Sequence, residues 1–345
     1  LEEGRFSDTK LIRGEYENLK QILGRIPTLI DFDENEAMDP MILIRKFGSY
    51  AAFLQKYEED YAGKFDIRKL DALKFISTKI ASGKRAEDLI VLKKLVEKSD
   101  TSHYTYEPRD KVAAETMSVA RMLGGQYSKT GEELTVFENG IFVLAPWFAG
   151  ALSDISFRAS VLDAIAFGLR RNAQFYSELY KDTDFVLYEK YTREEICRLL
   201  RWEKEPNYQN IGGYFYDEKT NTFPVFIDYE KDPTISITTQ YEDRFISENR
   251  LIAISKSKRT LESPEIKRLM NNTTNRMRCF LFMRKNKDDA DQGKEFYFLG
   301  EMHPTGEFKE IIMADGATKA VEIGYELEEP VRADLYDYLT TNLDE

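Results

Sequence analysis

The chain has 345 residues, of which 42% are hydrophobic and 32% charged, and its formal net charge is −12. This length is typical of about two domains with sizeable cores, which excludes a disordered or collagen-like chain. No stretch approaches the roughly 18 apolar residues of a membrane-spanning helix, and the polar, acidic N-terminus does not resemble a signal peptide. We therefore expect a cytoplasmic protein. Because the first residue is Leu1, we also expect a fragment of a longer chain.

Cysteine and histidine are scarce, which limits metal and nucleophile chemistry. Cys197 and Cys279 are the only thiols, and His103 and His303 are the only imidazoles. A zinc site built on paired CxxC motifs needs more ligands than these. We expect both thiols to be buried and reduced. The sequence predicts no metal, no cofactor and no catalytic residue in this chain.

The first half of the chain carries helical patterns. Asp39 followed by Pro40 is an N-cap signal, and the apolar stripe from Met41 to Tyr50 predicts a helix of roughly 18 residues. The same criteria predict helices at residues 67–80, 86–96 and 111–123, and a helix pair at 151–179. Asn139-Gly140 between two apolar runs predicts a type I′ hairpin. Residues 1–186 are thus interpreted as a mainly helical domain with one small hairpin.

The second half is richer in short β-type runs. A capping box from Thr192 to Glu195 predicts a helix at 192–202, and a further helix is predicted at 263–270. Candidate strands lie at 214–216, 224–229, 235–238, 251–255, 279–284, 296–300, 320–325 and 331–335. Their spacing indicates a barrel or sandwich. The predicted fold class is α+β, with a β-barrel-like domain at residues 187–345.

Positive charge is concentrated in one short stretch. From Arg244 to Lys287 there are twelve Lys and Arg residues against three acidic ones, a net charge of +9, which leaves −21 for the remainder. A solvated face normally intersperses both signs, so we interpret this stretch as a local anion-binding surface. The alternative is an ordinary basic surface that pairs with acidic residues elsewhere in the fold.

Aromatic residues precede and accompany this basic stretch. A pocket for an unstacked base needs flat walls, polar groups at the base edge and cations for the flanking phosphates. The predicted base-pocket residues are Tyr214, Tyr216, Asp228, Tyr229, Tyr241 and Asp243, with the tyrosines as walls and the carboxylates as edge readers. The predicted DNA-backbone contacts are Arg244, Ser255, Lys256, Ser257, Lys258 and Arg259. The alternative is that the rings belong to the core and the carboxylates cap turns.

Nucleotide-binding and nuclease motifs are weak or missing in the sequence. No GxxxxGK[ST] loop and no dinucleotide fingerprint occurs. Asp243 with Glu265-x-Lys267 resembles the metal-binding element of a nuclease. That element should lie on a strand, whereas Pro264-Glu265 indicates the start of a helix.

The chain resembles the C-terminal part of SauUSI-type enzymes, which are ATP-dependent type IV restriction endonucleases acting on modified cytosine. In the first half the similar phrases are residues 26–32, 48–50 with 53–54, and 83–88. In the second half they are residues 210–214, 223–227, 241–245, 281–285 and 296–300. The resemblance implies a domain similar to the SET-and-RING-associated (SRA) fold, which in that family is implicated in recognising 5-methylcytosine. It also implies a parent with a phospholipase-D-like nuclease and a helicase motor, neither of which is in this sequence.

On this basis we expect a specificity module that recognises 5-methylcytosine in double-stranded DNA by base flipping. The helical half would couple it to the helicase and nuclease domains of a phage-defence enzyme, whose motor would use ATP and Mg²⁺. The alternative is a protein-interaction or oligomerisation module that reads no modified base. The flanking-sequence preference, the choice between 5-methyl and 5-hydroxymethyl cytosine, and homo-oligomer formation stay open.

Overall fold

A computed structural model describes residues 9–99, 104–204, 206, 213–230, 243–286 and 294–341. The chain divides into two compact units, Leu1–Glu178 and Leu179–Glu345. The predicted boundary at residue 186 lies inside the second unit. The first unit is helical and the second contains a mixed sheet, so the α+β fold class is confirmed. None of the described helices combines the length and apolar character needed to span a bilayer.

The N-terminal unit contains mostly short helices. They are α1 (Thr9–Leu23), α2 (Leu29–Glu34), α3 (Pro40–Phe47), α4 (Tyr50–Tyr57), α5 (Ile67–Phe75), α6 (Ala86–Glu97), α7 (Ala114–Leu123), α8 (Pro146–Ala151) and α9 (Ile155–Phe175). A π-helical segment, Ile76–Ile80, follows α5 directly. The hairpin strands are β1 (Thr135–Glu138) and β2 (Ile141–Leu144).

The helix predicted to begin at Asp39 is in fact two helices. Asp39 caps α3 by accepting a hydrogen bond from the Met41 amide at 2.8 Å, as the sequence predicted. The helix ends at Gly48, whose φ of +84° lies in the left-handed region that favours glycine. Ser49 then caps α4 by accepting from the Ala52 amide at 3.1 Å. A glycine and a new capping residue therefore divide what the apolar stripe alone indicated as continuous.

The predicted hairpin is confirmed, whereas the predicted helix pair at 151–179 is a single helix. Asn139 and Gly140 both have positive φ, at 52° and 78°, and Glu138 pairs with Ile141 as a type I′ turn requires. Helix α9 runs without a break for 21 residues from its N-cap Asp154. Its buried residues include Phe157 and Val161, which belong to the core of the helical unit.

The C-terminal unit is a bent sheet with peripheral helices. Its strands are β3 (Lys190–Thr192), β4 (Thr222–Asp228), β5 (Arg244–Ser247), β6 (Arg250–Ile254), β7 (Arg278–Arg284), β8 (Glu295–Ile312) and β9 (Lys319–Leu327). Its helices are α10 (Arg193–Leu199), α11 (Pro264–Met270), α12 (Asn272–Asn275) and α13 (Ala333–Thr340). The strand order is β4-β7-β8-β9-β6-β5, and β3 pairs with β8. Strands β4 and β7 are parallel and the other pairs are antiparallel.

The sheet differs from the expected barrel because its described strands do not close. The outer edge of β4 is occupied by bridges from Tyr214 to Val225 and from Asp217 to Thr222. At the other end, β5 is a four-residue strand whose Ile246 is 54% exposed. The curvature comes from β8, which pairs with β7 along its first part and with β9 along its second, with a register shift between Pro304 and Phe308.

Several strand predictions need correction. The segment predicted as a strand at 331–335 contains the start of α13, and residues 214–216 contribute only an isolated bridge. The predicted strand at 235–238 lies outside the described residues. Strands β3 and β5 were not predicted, because three or four residues give too short a period-two pattern to recognise.

The two faces of β4 pack into different layers, as the sequence predicts from the alternation of Phe223, Val225 and Ile227 with Phe226 and Asp228. Phe223, Val225 and Ile227 belong to one core cluster. Phe226 faces the other way, and its ring stacks on that of Phe282 with 5.7 Å between centroids. Both faces of this strand are thus buried, so the exposed side chains of this region belong to the loops and helices at its edge.

Candidate nucleic-acid interface

Cations and rings meet where the segment after β6 and helix α11 lie against the turn before β4. Lys256 Nζ lies 4.7 Å from the centre of the Tyr214 ring, and Arg268 Cζ lies 3.9 Å from the centre of the Tyr216 ring. Such distances are those of cation–π contacts. We call this group the cation–ring corner, and its members are Tyr214, Phe215, Tyr216, Lys256, Arg259 and Arg268.

Side-chain hydrogen bonds in the turn before β4 position these rings. Asp217 accepts hydrogen bonds from the amide and hydroxyl of Thr220, both at 2.8 Å, which holds the turn. Asn221 accepts from the Tyr216 hydroxyl at 3.1 Å and donates its side-chain amide to the Asn275 carbonyl at 2.9 Å. The turn is therefore attached to the α11–α12 region, which brings Tyr216 under Arg268.

The three rings differ in exposure. Tyr214 is 6% exposed and stacks on Phe223 at 5.0 Å, so it forms the inner wall of the corner. Burial raises the pKa of its phenol, which stays neutral. Tyr216 is half-buried, and Phe215 is 37% exposed. The centre of the Phe215 ring lies 6.0 Å from Lys256 Nζ, and an exposed ring beside a cation provides a surface on which a base or a sugar can pack.

The cations of the corner are partly desolvated. Burial lowers the pKa of Lys256, and the neighbouring Arg259 lowers it further. Arg259 is itself paired with Glu265, the first acidic residue of α11. A half-buried ammonium group with a ring on one side loses part of its hydration. An anion that approaches from the open side replaces the lost water with a charge-assisted hydrogen bond.

The side chains of residues 255–259 that were predicted to contact the DNA backbone have different environments. Ser255 is fully buried, and its hydroxyl accepts a hydrogen bond from the Val321 amide at 2.9 Å, so this side chain serves the sheet. Ser257 is half-buried and Lys258 is exposed, with a positive φ of 64°. Lys256, Lys258 and Arg259 thus remain the candidate phosphate contacts of this segment, and Lys258 is the exposed one.

The predicted base-pocket residues do not form one group. Tyr229 stacks on Phe245 at 5.9 Å, apart from the corner, and burial raises its pKa. Asp228 pairs with Arg284, the residue opposite it in the β4–β7 register. Asp243 is buried and accepts a hydrogen bond from the Ile254 amide at 2.7 Å. Tyr241 lies outside the described residues.

Asp243 and Tyr214 nevertheless contact the same short segment at the end of β6. Asp243 accepts from the Ile254 amide at 2.7 Å, and the Tyr214 hydroxyl accepts from the Lys256 amide at 3.4 Å. Each also lies beside a segment that the structure does not describe, since residues 207–212 precede Gly213 and residues 231–242 precede Asp243. Both predicted pocket residues thus contact neighbouring residues of one segment.

Much of the remaining basic stretch is neutralised within the unit. Arg278 pairs with Glu301 at 2.8 Å and Asp182 at 2.9 Å, and Lys285 pairs with Glu230 at 3.4 Å. Arg244 contacts Glu322, also at 3.4 Å. These residues thus pair with acidic side chains of the same unit, as the alternative interpretation of the basic stretch expects.

A tyrosine-lined pocket in this unit was missed by sequence reasoning. Its volume is about 200 Å³, and its lining residues are Tyr188, Tyr297, Arg332, Asp334, Leu335 and Tyr338. Leu335 and Tyr338 lie on one helix, α13. The sequence did not indicate this, because residues 331–335 were interpreted as a strand rather than as the start of that helix.

The nuclease-like element is not assembled in the described part of the chain. Glu265 and Lys267 lie on helix α11, as their proline-led sequence indicated, and Glu265 pairs with Arg259. No group of three or more potential metal ligands was found among the described residues.

Comparisons with known proteins describe the two halves separately. Residues 185–339 match the family model described as domain of unknown function DUF3427, and residues 12–177 match that of domain of unknown function DUF8090. No curated protein matches the chain. Among solved structures, the chain is similar to the DNA recognition domain of the cytosine modification-dependent restriction endonuclease LpnPI. The identity is 13% and the TM-score 0.31, over 45% of this chain and 78% of that chain.

Proposed function

We propose that the C-terminal unit binds double-stranded DNA through the cation–ring corner. The observation that carries the proposal is the placement of Lys256 over Tyr214 and of Arg268 over Tyr216. Cations over flat rings next to an exposed Phe215 provide both phosphate contacts and a stacking surface.

The charge around the corner supports a polyanionic partner. From Ser255 to Arg276 the chain has six basic and two acidic residues, in a protein of net charge −12. Glu262 and Glu265 pair with Lys267 and Arg259, so Lys256, Lys258 and Arg268 keep their charge available for phosphates. A local excess of this kind attracts DNA while the acidic remainder disfavours non-specific coating.

The finer proposal is recognition of 5-methylcytosine by base flipping. It is supported by the resemblance to SauUSI-type enzymes and by the contacts that Tyr214 and Asp243 both make with the segment at the end of β6. Since Asp228 is the partner of Arg284, we assign the edge-reading role to Asp243, because a carboxylate can accept from the exocyclic amine of cytosine. Tyr214, Tyr216 and Tyr241 are the proposed walls.

The biological setting is also part of the proposal. The chain would act as the specificity module of a type IV restriction endonuclease in phage defence. Its helical unit would contact the helicase motor and nuclease of the longer enzyme, whose motor would bind ATP and Mg²⁺. The chain itself would carry no catalytic residue.

A competition titration tests the proposal. A labelled duplex with one 5-methylcytosine site is bound to the chain and displaced with unlabelled methylated or unmethylated duplex of the same sequence. We expect the methylated competitor to be at least tenfold more effective, and Asp243→Asn to remove most of that preference. Equal competition would reject modified-base reading, and no binding of either duplex at low salt would reject DNA binding altogether.

The interaction-module alternative is favoured by a different observation. Arg278, Arg284 and Lys285 already pair with carboxylates of the same unit, which shows that this basic stretch can meet acidic surfaces. An interaction module would bind acidic protein surfaces and would not discriminate methylated from plain duplexes, so the same titration separates the two.

A further inference from the structure

The helical unit contains a cavity that the proposed DNA recognition does not use. Its volume is about 260 Å³, it is open to solvent on one side, and its walls are formed by the starts of α2 and α4, the α5 and π-helical segments and the first half of α9. The polar residues that line it include Thr28, Ser49, Tyr50, Tyr61, Ser160 and Asp163. Leu54, Leu73 and Ala164 contribute apolar wall.

This cleft has room for a small organic molecule. One water molecule occupies about 30 Å³ of the liquid, so the cleft holds the volume of several waters. A space of about 260 Å³ therefore has the size of an organic ligand. Small-molecule sites combine apolar walls with a few placed polar groups, which is the composition found here.

Asp163 is the charged group of the cavity. Its carboxylate accepts from the Leu29 amide, with both oxygens 3.2 Å from that nitrogen. Within the described residues, no lysine or arginine forms an ion pair or hydrogen bond with it. The nearby Arg25 is engaged by Asp31, at 2.7 and 2.9 Å. A partly buried carboxylate with one neutral donor lacks the counter-charge that such groups normally have.

The two tyrosines of the cavity supply no positive charge to balance Asp163. Tyr50 donates its hydroxyl to the Pro27 carbonyl at 2.7 Å, and Tyr61 shares a hydrogen bond of 3.0 Å with Ser160. Both tyrosines have raised pKa values because of burial, so they stay neutral. Their rings provide flat walls near the carboxylate.

We propose that this cavity binds a small organic ammonium ion, with Asp163 as its counter-ion and the rings of Tyr50 and Tyr61 against its apolar body. The ligand class follows from the single unpaired negative charge, the aromatic walls that also favour cations, and the volume. The proposal is independent of DNA binding, because it concerns the other unit.

The pH dependence of binding is a specific consequence. The pKa of Asp163 is raised to about 7, mainly by burial and to a smaller extent by the charge of Asp31, while the hydrogen bond from the Leu29 amide opposes the shift. The other titratable groups nearby are Tyr50 and Tyr61, which do not ionise near neutral pH, and Arg25, which remains with Asp31. The ionised fraction of such a carboxyl rises about tenfold from pH 6 to pH 8. The affinity for an ammonium ion should rise by the same factor.

Calorimetric titration of the full 345-residue chain with 2-phenylethylammonium tests the proposal, with neutral 2-phenylethanol as the matched probe. We expect the ammonium probe to bind at least tenfold more tightly than the alcohol at pH 8, and its affinity to fall about tenfold at pH 6. Asp163→Asn keeps the size of the side chain and an oxygen for the Leu29 amide, and should abolish the difference between the probes.

Glu138→Gln makes the same charge change at an exposed position outside the cavity and should preserve binding. Failure of the ammonium probe to bind the wild-type chain would overturn the proposal. So would equal affinity for both probes, or unchanged affinity in Asp163→Asn. Because the pH series uses the wild-type chain, the test does not depend on the folding of any variant.

Discussion

The guanidinium carbon of Arg268 lies 3.9 Å from the centre of the Tyr216 ring, whose hydroxyl is held by Asn221 at 3.1 Å. The ring is thus fixed at its edge and covered on one face, and the arginine is held with little side-chain freedom. A cation positioned before binding loses less conformational entropy when it contacts a phosphate. This relationship makes Arg268 the sharpest test of the cation–ring corner.

Arg268→Ala should weaken binding to methylated and unmethylated duplexes by similar factors. The slope of log affinity against log salt should fall by about one, since one phosphate contact is lost. Fluorescence anisotropy between about 50 and 200 mM salt measures both quantities. Arg250→Ala is the matched control, because Arg250 is an exposed residue paired with Glu307 at 2.6 Å. An unchanged slope for Arg268→Ala would contradict the assignment.

Ser255 and Ser257 were predicted together as phosphate contacts, and their environments give them different roles. Ser255→Ala should lower the free energy of unfolding by about 1–3 kcal/mol, because the buried Val321 amide loses its acceptor. Ser257→Ala should change it by less than about 0.5 kcal/mol. Urea unfolding of the two variants measures the contrast. Equal stability would mean that the Ser255 hydroxyl is not required by the sheet.

Local features of the fold could be predicted from the sequence, and long-range pairings could not. The caps at Asp39 and Thr192, the Asn139-Gly140 turn and the alternation of β4 depend on neighbouring residues, and each was found. They are visible in sequence because the physical cause lies within four residues of the effect.

The candidate site was harder to predict because its residues come from distant segments. Asp228 meets Arg284 only because β4 and β7 are parallel and in that register, 56 residues apart. No local pattern distinguishes such a counter-ion from a base reader. The placement of Arg268 over Tyr216 likewise depends on where α11 packs against the turn before β4.

Asp228→Asn should act on stability rather than on the recognition of methylation. Arg284 is 7% exposed, and loss of its charged partner leaves the guanidinium less well compensated, with an expected cost of about 1–3 kcal/mol. The ratio of affinities for methylated and plain duplexes should stay within twofold of the wild-type ratio. If Asp228→Asn instead removed the preference while unfolding at the same denaturant concentration, the edge-reading role would belong to Asp228.

A buried ion pair in the helical unit explains one of the phrases that carry the family resemblance. Arg85 and Asp88, within residues 83–88, are 3% and 1% exposed and make contacts of 2.6 and 3.1 Å. Arg85 also donates to Ser118 at 2.8 Å, which joins α6 to α7. The motif therefore has a structural role.

Asp88→Ala should destabilise the protein by about 3–5 kcal/mol, because it leaves a buried guanidinium without its carboxylate. Thermal or urea unfolding measures this loss. Asp71→Ala, which removes a carboxylate that is only half-buried on α5, is the comparison and should cost far less. A loss below about 1 kcal/mol for Asp88→Ala would show that the pair adds little to the stability of this unit.

The carboxyl group of Asp163 should make stability decrease as the pH rises. Its pKa is raised by burial from 3.8 to about 7, so the folded state holds the proton more tightly than the unfolded state does. Stability associated with this group is fully present below about pH 4, is lost as the pH rises toward 7, and changes little above that. The loss can reach at most about 1.4 kcal/mol per pH unit.

Asp163→Asn cannot ionise, so its stability advantage over the wild type should grow between pH 5.5 and 7 and then level off. Urea midpoints measured across this range test the sign, and an advantage that shrinks with pH would contradict it. Saturating 2-phenylethylammonium at pH 8 should raise the stability of the wild type toward that of Asp163→Asn, because the bound cation replaces the missing counter-charge.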